Sequence, residues 1–176
     1  VLFNGGNLDA WRQAEQPYGI VNLNQVLGSA PGCAGYLRQE IRSDAARTVR
    51  LEIGSDDGVK VWLKGDVIHA NNALRPLTPG QDAVEAALRP GWNALLVKVS
   101  QGGGDWAAHL RVTGLDGQPI EGLELRHPAA AADGTPLPGL GARVRGTVLA
   151  WETCGPYRQE GVGVESLLDK IGRAHV

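Results

Sequence analysis

Apolar and polar residues alternate with a period of two from Tyr36 onward, and this alternation most constrains the fold. It runs through 37–41 and again through 48–53, with the turn-forming sequence Ser-Asp-Ala-Ala between the two runs. Successive side chains of a strand point to opposite faces, so such alternation is typical of strands with one face on a core. The pattern predicts two antiparallel strands joined by a short turn.

The stretch from Gly54 to His69 continues this pattern as strand, acidic turn, strand, glycine turn and strand. A three-residue link from Lys64 to Asp66 separates two apolar runs, and its central glycine supplies the positive φ that a hairpin link needs. Apolar positions 59, 61 and 63 continue the buried face. Lys60 and Trp62 are therefore expected on the opposite face.

The remaining strands follow by the same reasoning. Alternation at 84–88 and 106–112 predicts further half-buried strands, and the apolar run 94–99 predicts a strand buried on both faces. Residues 20–27 predict a short helical turn that Gly28 ends. The sequence therefore predicts an all-β fold, an antiparallel β-sandwich of jelly-roll type with about eight strands in two packed sheets.

The segment from His127 to Gly141 is rich in Ala, Pro and Gly and is the best linker candidate. We expect a truncated preceding segment at 1–18, the sandwich module at 19–126, a linker at 127–142 and the start of a following module at 143–170. Residues 171–176 match the translation of a common sequencing adapter and are expected to be an artefact.

Charge and cysteine content narrow the function classes. Seventeen basic and nineteen acidic residues give a net charge of −2, which predicts no nucleic-acid partner. No apolar run approaches the roughly 20 residues of a membrane-spanning helix, so no membrane association is expected. Cys33 and Cys154 lack metal-ligand spacing. Buried thiols are favoured for them, with a long-range disulfide as the alternative.

Motifs at 54–63, 69–72, 77–79, 91–99 and 101–106, taken in order, resemble a β-sandwich module of large secreted multidomain proteins of planctomycete type. The hairpin and the strand at 91–99 are also similar to galactose-binding-like jelly rolls attached to glycosidases. The acidic turn is similar to that of PA14-type sugar-binding sandwiches. The family pattern has Asn-Gly at the hairpin tip, where this chain has Lys64-Gly65. The resemblance implies carbohydrate binding and an extracellular, periplasmic or cell-surface location.

Two shorter resemblances lie outside this module. The segment from Leu2 to Trp11 is similar to the start of the 3-keto-disaccharide hydrolase family. It implies a sugar-hydrolase domain in a parent protein, with its active site outside this chain. The segment from Trp151 to Tyr157 resembles the entry of a segment that borders the sandwich module.

The sequence predicts a loop at 71–80, which contains two prolines, and a flexible loop at 101–105, which contains three consecutive glycines. Aromatic and polar residues near these two loops are the candidate ligand-binding set. Sugars present apolar C–H faces to aromatic rings, and neighbouring polar groups fix their orientation. The set comprises Trp62, Lys60, Asn71, Asn72, Asp105 and Trp106. The alternative for each tryptophan, Trp92 included, is packing in the core or at its ends.

Asp56 and Asp57 lie in a tight turn before a glycine, which is ordinary turn chemistry. A structural calcium ion held by the two carboxylates is the alternative, and no other cofactor is expected. The histidines stand in no recognisable relation to a nucleophile or carboxylate, so no catalytic residue is predicted.

The sequence thus favours a non-catalytic, carbohydrate-binding accessory module of a larger secreted protein. Its expected partners are a polysaccharide or glycan and neighbouring domains of the same chain. The rival interpretation is a structural sandwich that serves as a spacer or protein-interaction module. A third interpretation is a fragment of a protein whose sugar-hydrolase domain lies elsewhere.

Overall fold

A computed structural model describes residues 12–15, 20–28, 31–126 and 150–158. Eleven strands and one short helix lie within these ranges. In chain order they are β1 (Arg12–Glu15), β2 (Ile20–Asn22), α1 (Leu23–Leu27), β3 (Cys33–Ser43), β4 (Arg47–Asp56), β5 (Val59–Leu63), β6 (Asp66–Asn71), β7 (Asp82–Leu88), β8 (Gly91–Gln101), β9 (Ala107–Thr113), β10 (Leu123–Arg126) and β11 (Ala150–Arg158).

The strands form two antiparallel sheets, which confirms the predicted all-β sandwich. The larger sheet has the order β1-β11-β3-β8-β5-β6, and β10 also pairs with β3. The smaller sheet has the order β2-β9-β4-β7. The chain crosses from one sheet to the other at most of its turns, so neighbours in sequence face each other across the core. The eleven described strands exceed the predicted number because short strands at both ends of the sequence join the larger sheet.

Both sheets direct their alternating apolar side chains into one core. The larger sheet contributes Leu37, Ile41, Val59, Val61, Leu63, Leu95, Val97 and Val99, and the smaller sheet contributes Val21, Val49, Leu51, Ile53, Ala86, Leu88, Leu110 and Val112. Burial of such a side chain stabilises the fold by about 1.5–3 kcal/mol relative to exposure. The predicted buried face at positions 59, 61 and 63 is confirmed.

The strand predicted to be buried on both faces is β8, and its burial is uneven. Ala94 is exposed and Leu96 is half-buried, whereas every residue from Val97 to Gln101 is buried. The first half of β8 therefore has one face that is partly exposed to solvent. The second half is buried on both faces.

The hairpin between β5 and β6 is tighter than predicted. Leu63 pairs with Asp66, so only two residues link the strands. Both have positive φ, 55° at Lys64 and 89° at Gly65. Two-residue links with this backbone match the right-handed twist of the strands they join.

The predicted helical turn is confirmed over part of its length. The side chain of Asn22 accepts a hydrogen bond from the N–H of Gln25 at 3.0 Å and so caps α1 at its beginning. Gly28 ends the helix with a φ of 86°. Residues Ile20–Asn22 form β2 instead of helix, because they pair with β9.

Strand β11 belongs to the sheet of the sandwich, although the sequence places its residues in a following module. It pairs with β3 and also with β1, which comes from the expected preceding segment. Trp151 of this strand is buried in the core. A stretch rich in Ala, Pro and Gly suggests a domain boundary, but it also suits a connection that returns to the same sheet.

Several predictions concern residues outside the described ranges. They include the segment at 2–11, the linker at 127–142 and the expected artefact at 171–176. Cys33 is buried. The side chain of Cys154 is among those left undescribed, so the disulfide alternative stays a prediction. In the described part of the chain, no helix is long and apolar enough to cross a membrane.

Gly54 provides a test of this packing. A Cβ at position 54 would lie 2.6 Å from the carbonyl oxygen of Thr78, which is backbone and cannot swing away. We expect Gly54→Ala to lower the free energy of unfolding by about 1–3 kcal/mol, measured by urea denaturation. The matched control is Gly103→Ala, since nothing lies within 4 Å of a Cβ there. Equal urea midpoints for the two variants would contradict the close approach.

Candidate functional site

Asp57 joins two loops to one end of the sandwich. Its Oδ1 accepts a hydrogen bond from the backbone N–H of Arg75 at 3.1 Å, and its Oδ2 accepts one from the N–H of Gly102 at 2.7 Å. Its own N–H donates to the carbonyl oxygen of Ser100 at 3.0 Å. Hydrogen bonds to a carboxylate are stronger than neutral ones. Asp57 therefore holds the 71–80 loop and the 102–105 loop against the sheet end.

Asp56 lies beside this junction and is also buried. It accepts a backbone hydrogen bond from Leu77 of the 71–80 loop. Burial raises the pKa of the Asp56 carboxyl above its usual range, and the neighbouring charges of Asp57 and Asp105 raise it further. The Asp56 carboxylate thus lies close enough to Asp57 and to Asp105 to be repelled by both.

Arg75 connects the 71–80 loop to β7 through a half-buried ion pair. Its guanidinium contacts both carboxylate oxygens of Asp82 and also donates to Ser55 Oγ at 2.9 Å. The amide of Asn71 donates to Asp82 Oδ1 at 3.2 Å. These hydrogen bonds, those from Arg75 above all, lower the pKa of Asp82 to about 2. Asn71, predicted as a ligand contact, is used within this network.

The loop rim, which we define as Asn72, Leu74 and residues 102–105, is the exposed surface above this junction. Leu74 is 84% exposed. Its Cδ2 lies 2.9 Å from the position of a Cβ on Gly102, so Leu74 packs over that glycine. Asn72 and Asp105 are exposed as well. The rim therefore places an amide, a carboxylate and an apolar side chain on two adjacent loops.

The glycine loop is held by side chains as well as by Asp57. Asn24 Nδ2 donates to the carbonyl oxygen of Gly104 at 3.0 Å, and Gln101 Nε2 donates to the same oxygen at 3.2 Å. The N–H of Gly103 donates to Gln101 Oε1 at 3.0 Å. The sequence suggests a flexible loop here, whereas the structure shows a loop with several fixed backbone groups.

Lys60 and Trp62 lie away from the loop rim, on the outer face of the larger sheet. The predicted side of the strand is confirmed for both, since Val59, Val61 and Leu63 occupy the core. Lys60 Nζ lies 5.2 Å from the ring centroid of Trp62, within cation–π range. Trp62 is only 4% exposed and Trp106 only 1% exposed. The expectation of an open aromatic platform at either residue is therefore wrong, and the packing alternative is confirmed.

The structure thus divides the predicted ligand-binding set. Asn72 and Asp105 are at the loop rim, Asn71 lies below it, and Lys60 and Trp62 are on the outer face of the larger sheet. Sequence reasoning missed Arg75 and Asp82, because no local pattern connects a loop arginine to the first residue of a strand. It also missed Lys98, whose position inside an apolar run was the available signal.

No group of three or more His, Cys, Asp or Glu side chains suited to a metal ion occurs among the described residues. Calcium at Asp56 and Asp57 stays a prediction. His109, on the outer face of the smaller sheet, is 7% exposed. Burial lowers the pKa of its imidazole, which favours the neutral ring.

Asp57→Asn tests the role of this carboxylate. The amide retains only one acceptor oxygen, so the N–H of Arg75 or of Gly102 loses its partner. We expect the free energy of unfolding to fall by about 1–3 kcal/mol, with faster amide hydrogen exchange at 71–80 and 102–105. Asp66→Asn, at the exposed hairpin, is the control and should change neither quantity. Unchanged exchange in both loops of Asp57→Asn would refute the assignment.

The ion pair of Arg75 and Asp82 predicts a pH dependence. Asp82 has a pKa of about 2 in the folded state, against an ordinary value of 3.8. A lowered carboxyl pKa stabilises the fold above the unfolded value, and this stability is lost as the pH falls through the folded value. The difference in urea midpoint between the unmodified protein and Asp82→Asn should therefore shrink as the pH falls from about 4 to about 2. A constant difference across that range would contradict the ion pair.

No family model matches the chain, and no curated protein matches it. An α-L-rhamnosidase from Streptomyces avermitilis, solved with L-rhamnose, is 17% identical with a TM-score of 0.40, over 78% of this chain and 14% of that chain. A lectin from Pleurotus ostreatus in complex with GalNAc is 15% identical with a TM-score of 0.39, over 83% of this chain and 50% of that chain. The apo form of that lectin is 14% identical with a TM-score of 0.38, over 83% and 49%. The chain thus spans at most half the length of these proteins.

Proposed function

We propose that this domain is a non-catalytic carbohydrate-binding module of a larger secreted protein, and that it binds glycan at the loop rim. The observation that carries the proposal is the placement of Leu74, 84% exposed, between exposed polar residues on two loops that Asp57 holds together. Binding residues occur most often on loops positioned by a rigid scaffold. The rim has this arrangement.

The chemistry of the rim suits a sugar. A pyranose has apolar C–H groups on its faces and hydroxyl groups around its edge. Leu74 supplies an apolar contact, the amide of Asn72 supplies donors and an acceptor, and the carboxylate of Asp105 supplies acceptors. Because Asp57 and Gln101 fix the loop backbone before binding, less conformational entropy is lost when a ligand binds.

This proposal changes the roles that the sequence suggested for two tryptophans. Trp106 and Trp62 pack within the fold and support the surfaces beside them. Asn71 orients Asp82 instead of contacting a ligand. The secreted location and the neighbouring domains rest on the family resemblance of the five motifs between positions 54 and 106, and they belong to the proposal on that ground.

Glycan binding should be measured with the full chain against a panel of soluble polysaccharides. We expect Leu74→Ala and Asp105→Ala each to weaken binding about tenfold, since each removes one contact of about 1–2 kcal/mol. The matched controls are Leu115→Ala, which truncates a leucine that is 54% exposed elsewhere, and Asp66→Ala. Both controls should bind within about twofold of the unmodified protein.

Two results would overturn the proposal. If the unmodified chain binds no polysaccharide in the panel, the domain is better described as a structural spacer or protein-interaction module. If binding occurs but both rim variants retain full affinity, the ligand site lies on another surface.

A further inference from the structure

Lys98 is the most unusual buried group in the described structure. It lies on β8 between Val97 and Val99, which face the core, so its side chain projects from the outer face of the larger sheet. The residue is 1% exposed, and its Nζ has no hydrogen-bond partner. An ammonium group carries three donors and no acceptor, so burial without a partner is costly.

A second lysine lies directly beside it. Lys60 on β5 is the register partner of Lys98 on β8. Like charges directly opposite each other on neighbouring strands are destabilising. Burial and the charge of Lys60 lower the pKa of Lys98 to about 8, so most Lys98 side chains are still protonated at pH 7.

The described surroundings supply no compensating negative charge. No carboxylate lies directly or diagonally opposite Lys98 on its two neighbouring strands. The residues at these positions are Ala34, Tyr36, Arg38, Lys60 and Trp62. The cation–π contact with Trp62, 5.2 Å from Lys60 Nζ to the ring centroid, stabilises the ammonium of Lys60 in place. Lys60 is half-buried, so of the two lysines it is the one in contact with solvent.

We propose that Lys60 and Lys98 form a binding site for one oxyanion group of a ligand, a carboxylate, a sulfate or a phosphate. An oxyanion accepts several hydrogen bonds at once and cancels the repulsion between the two ammonium groups. The site is separate from the loop rim, and it does not depend on glycan binding there.

The test is a titration of the isotope-labelled full chain, followed by backbone amide chemical shifts at constant ionic strength. The probes are sodium glucuronate, sodium sulfate and sodium phosphate, with neutral glucose as the uncharged control. We expect saturable shift changes centred on Lys60 and Lys98 with at least one anion, and none there with glucose. Saturation by glucuronate alone identifies a carboxylate on a sugar, and saturation by sulfate or phosphate identifies the oxyanion itself as the recognised group.

Variants separate a specific site from general salt effects. Lys98→Met should weaken the saturable response at least tenfold. Lys60→Met should weaken it to the same extent, and the fold accommodates this variant more easily because position 60 is only half-buried. Arg89→Met, which removes an exposed cation at the turn before β8, should leave the response unchanged. Leu74→Ala at the loop rim should leave it unchanged too, so failure here is distinguishable from failure of the proposed function.

Three outcomes would overturn the proposal. They are shifts that do not saturate with any of the three anions, equal shifts with glucose, and a response that persists in both lysine variants. In each case Lys98 is a buried amine that the fold tolerates without a ligand. Lys98→Met should then raise the melting temperature by the same amount with and without anions.

Discussion

The pairing of β3 with β8 is the interaction on which the rest of the structure depends. Their ladder is continuous from the Cys33–Gln101 pair to the Ser43–Gly91 pair. Strands β10, β11 and β5 pair directly with one of these two, and β1 and β6 are attached through β11 and β5. Because β8 is enclosed on both faces over 97–101, polar side chains on it cannot rely on water. Asn93 donates to the carbonyl oxygens of Ile41 in β3 and of Arg89 in the turn before β8. Gln101 bonds to backbone groups of Gly103 and Gly104 and so fixes the glycine loop. Lys98 is the exception on this strand.

The loop-rim end of the sandwich and the outer face of the larger sheet differ in the charged groups that lie there. At one end of the sandwich, buried acidic groups face inward and bind loop backbone, so the exposed groups of the rim are left to contact solvent or a ligand. On the outer face of the larger sheet, the charged groups next to Lys98 are basic and the neighbouring ring of Trp62 is buried. The net charge of −2 counts the acidic and basic groups of the whole chain, so it does not reveal which charges lie beside Lys98.

Local patterns were sufficient to predict the strands from β3 to β9, the acidic turn and the core face of β5. Alternation shows that Trp62 lies off the core face, but it contains no information about what covers that face, so the burial of Trp62 was not predictable. The composition of 127–142 suggested a boundary, whereas the membership of β11 depends on a pairing between residues far apart in sequence. The Asp57 contacts with Arg75 and Gly102 also join distant segments, and a turn motif alone cannot reveal them.

The place of β11 beside β3 has a consequence for synthesis of the protein. Cys33–Arg38 of β3 pairs with a strand that is translated on the order of a hundred residues later, which takes roughly ten seconds at ordinary elongation rates. Throughout that interval the nascent sandwich has an unpaired backbone edge on its central strand. Unpaired edges join readily with other extended chains. Until β11 is synthesised, this edge of β3 is therefore open to pairing with other extended chains.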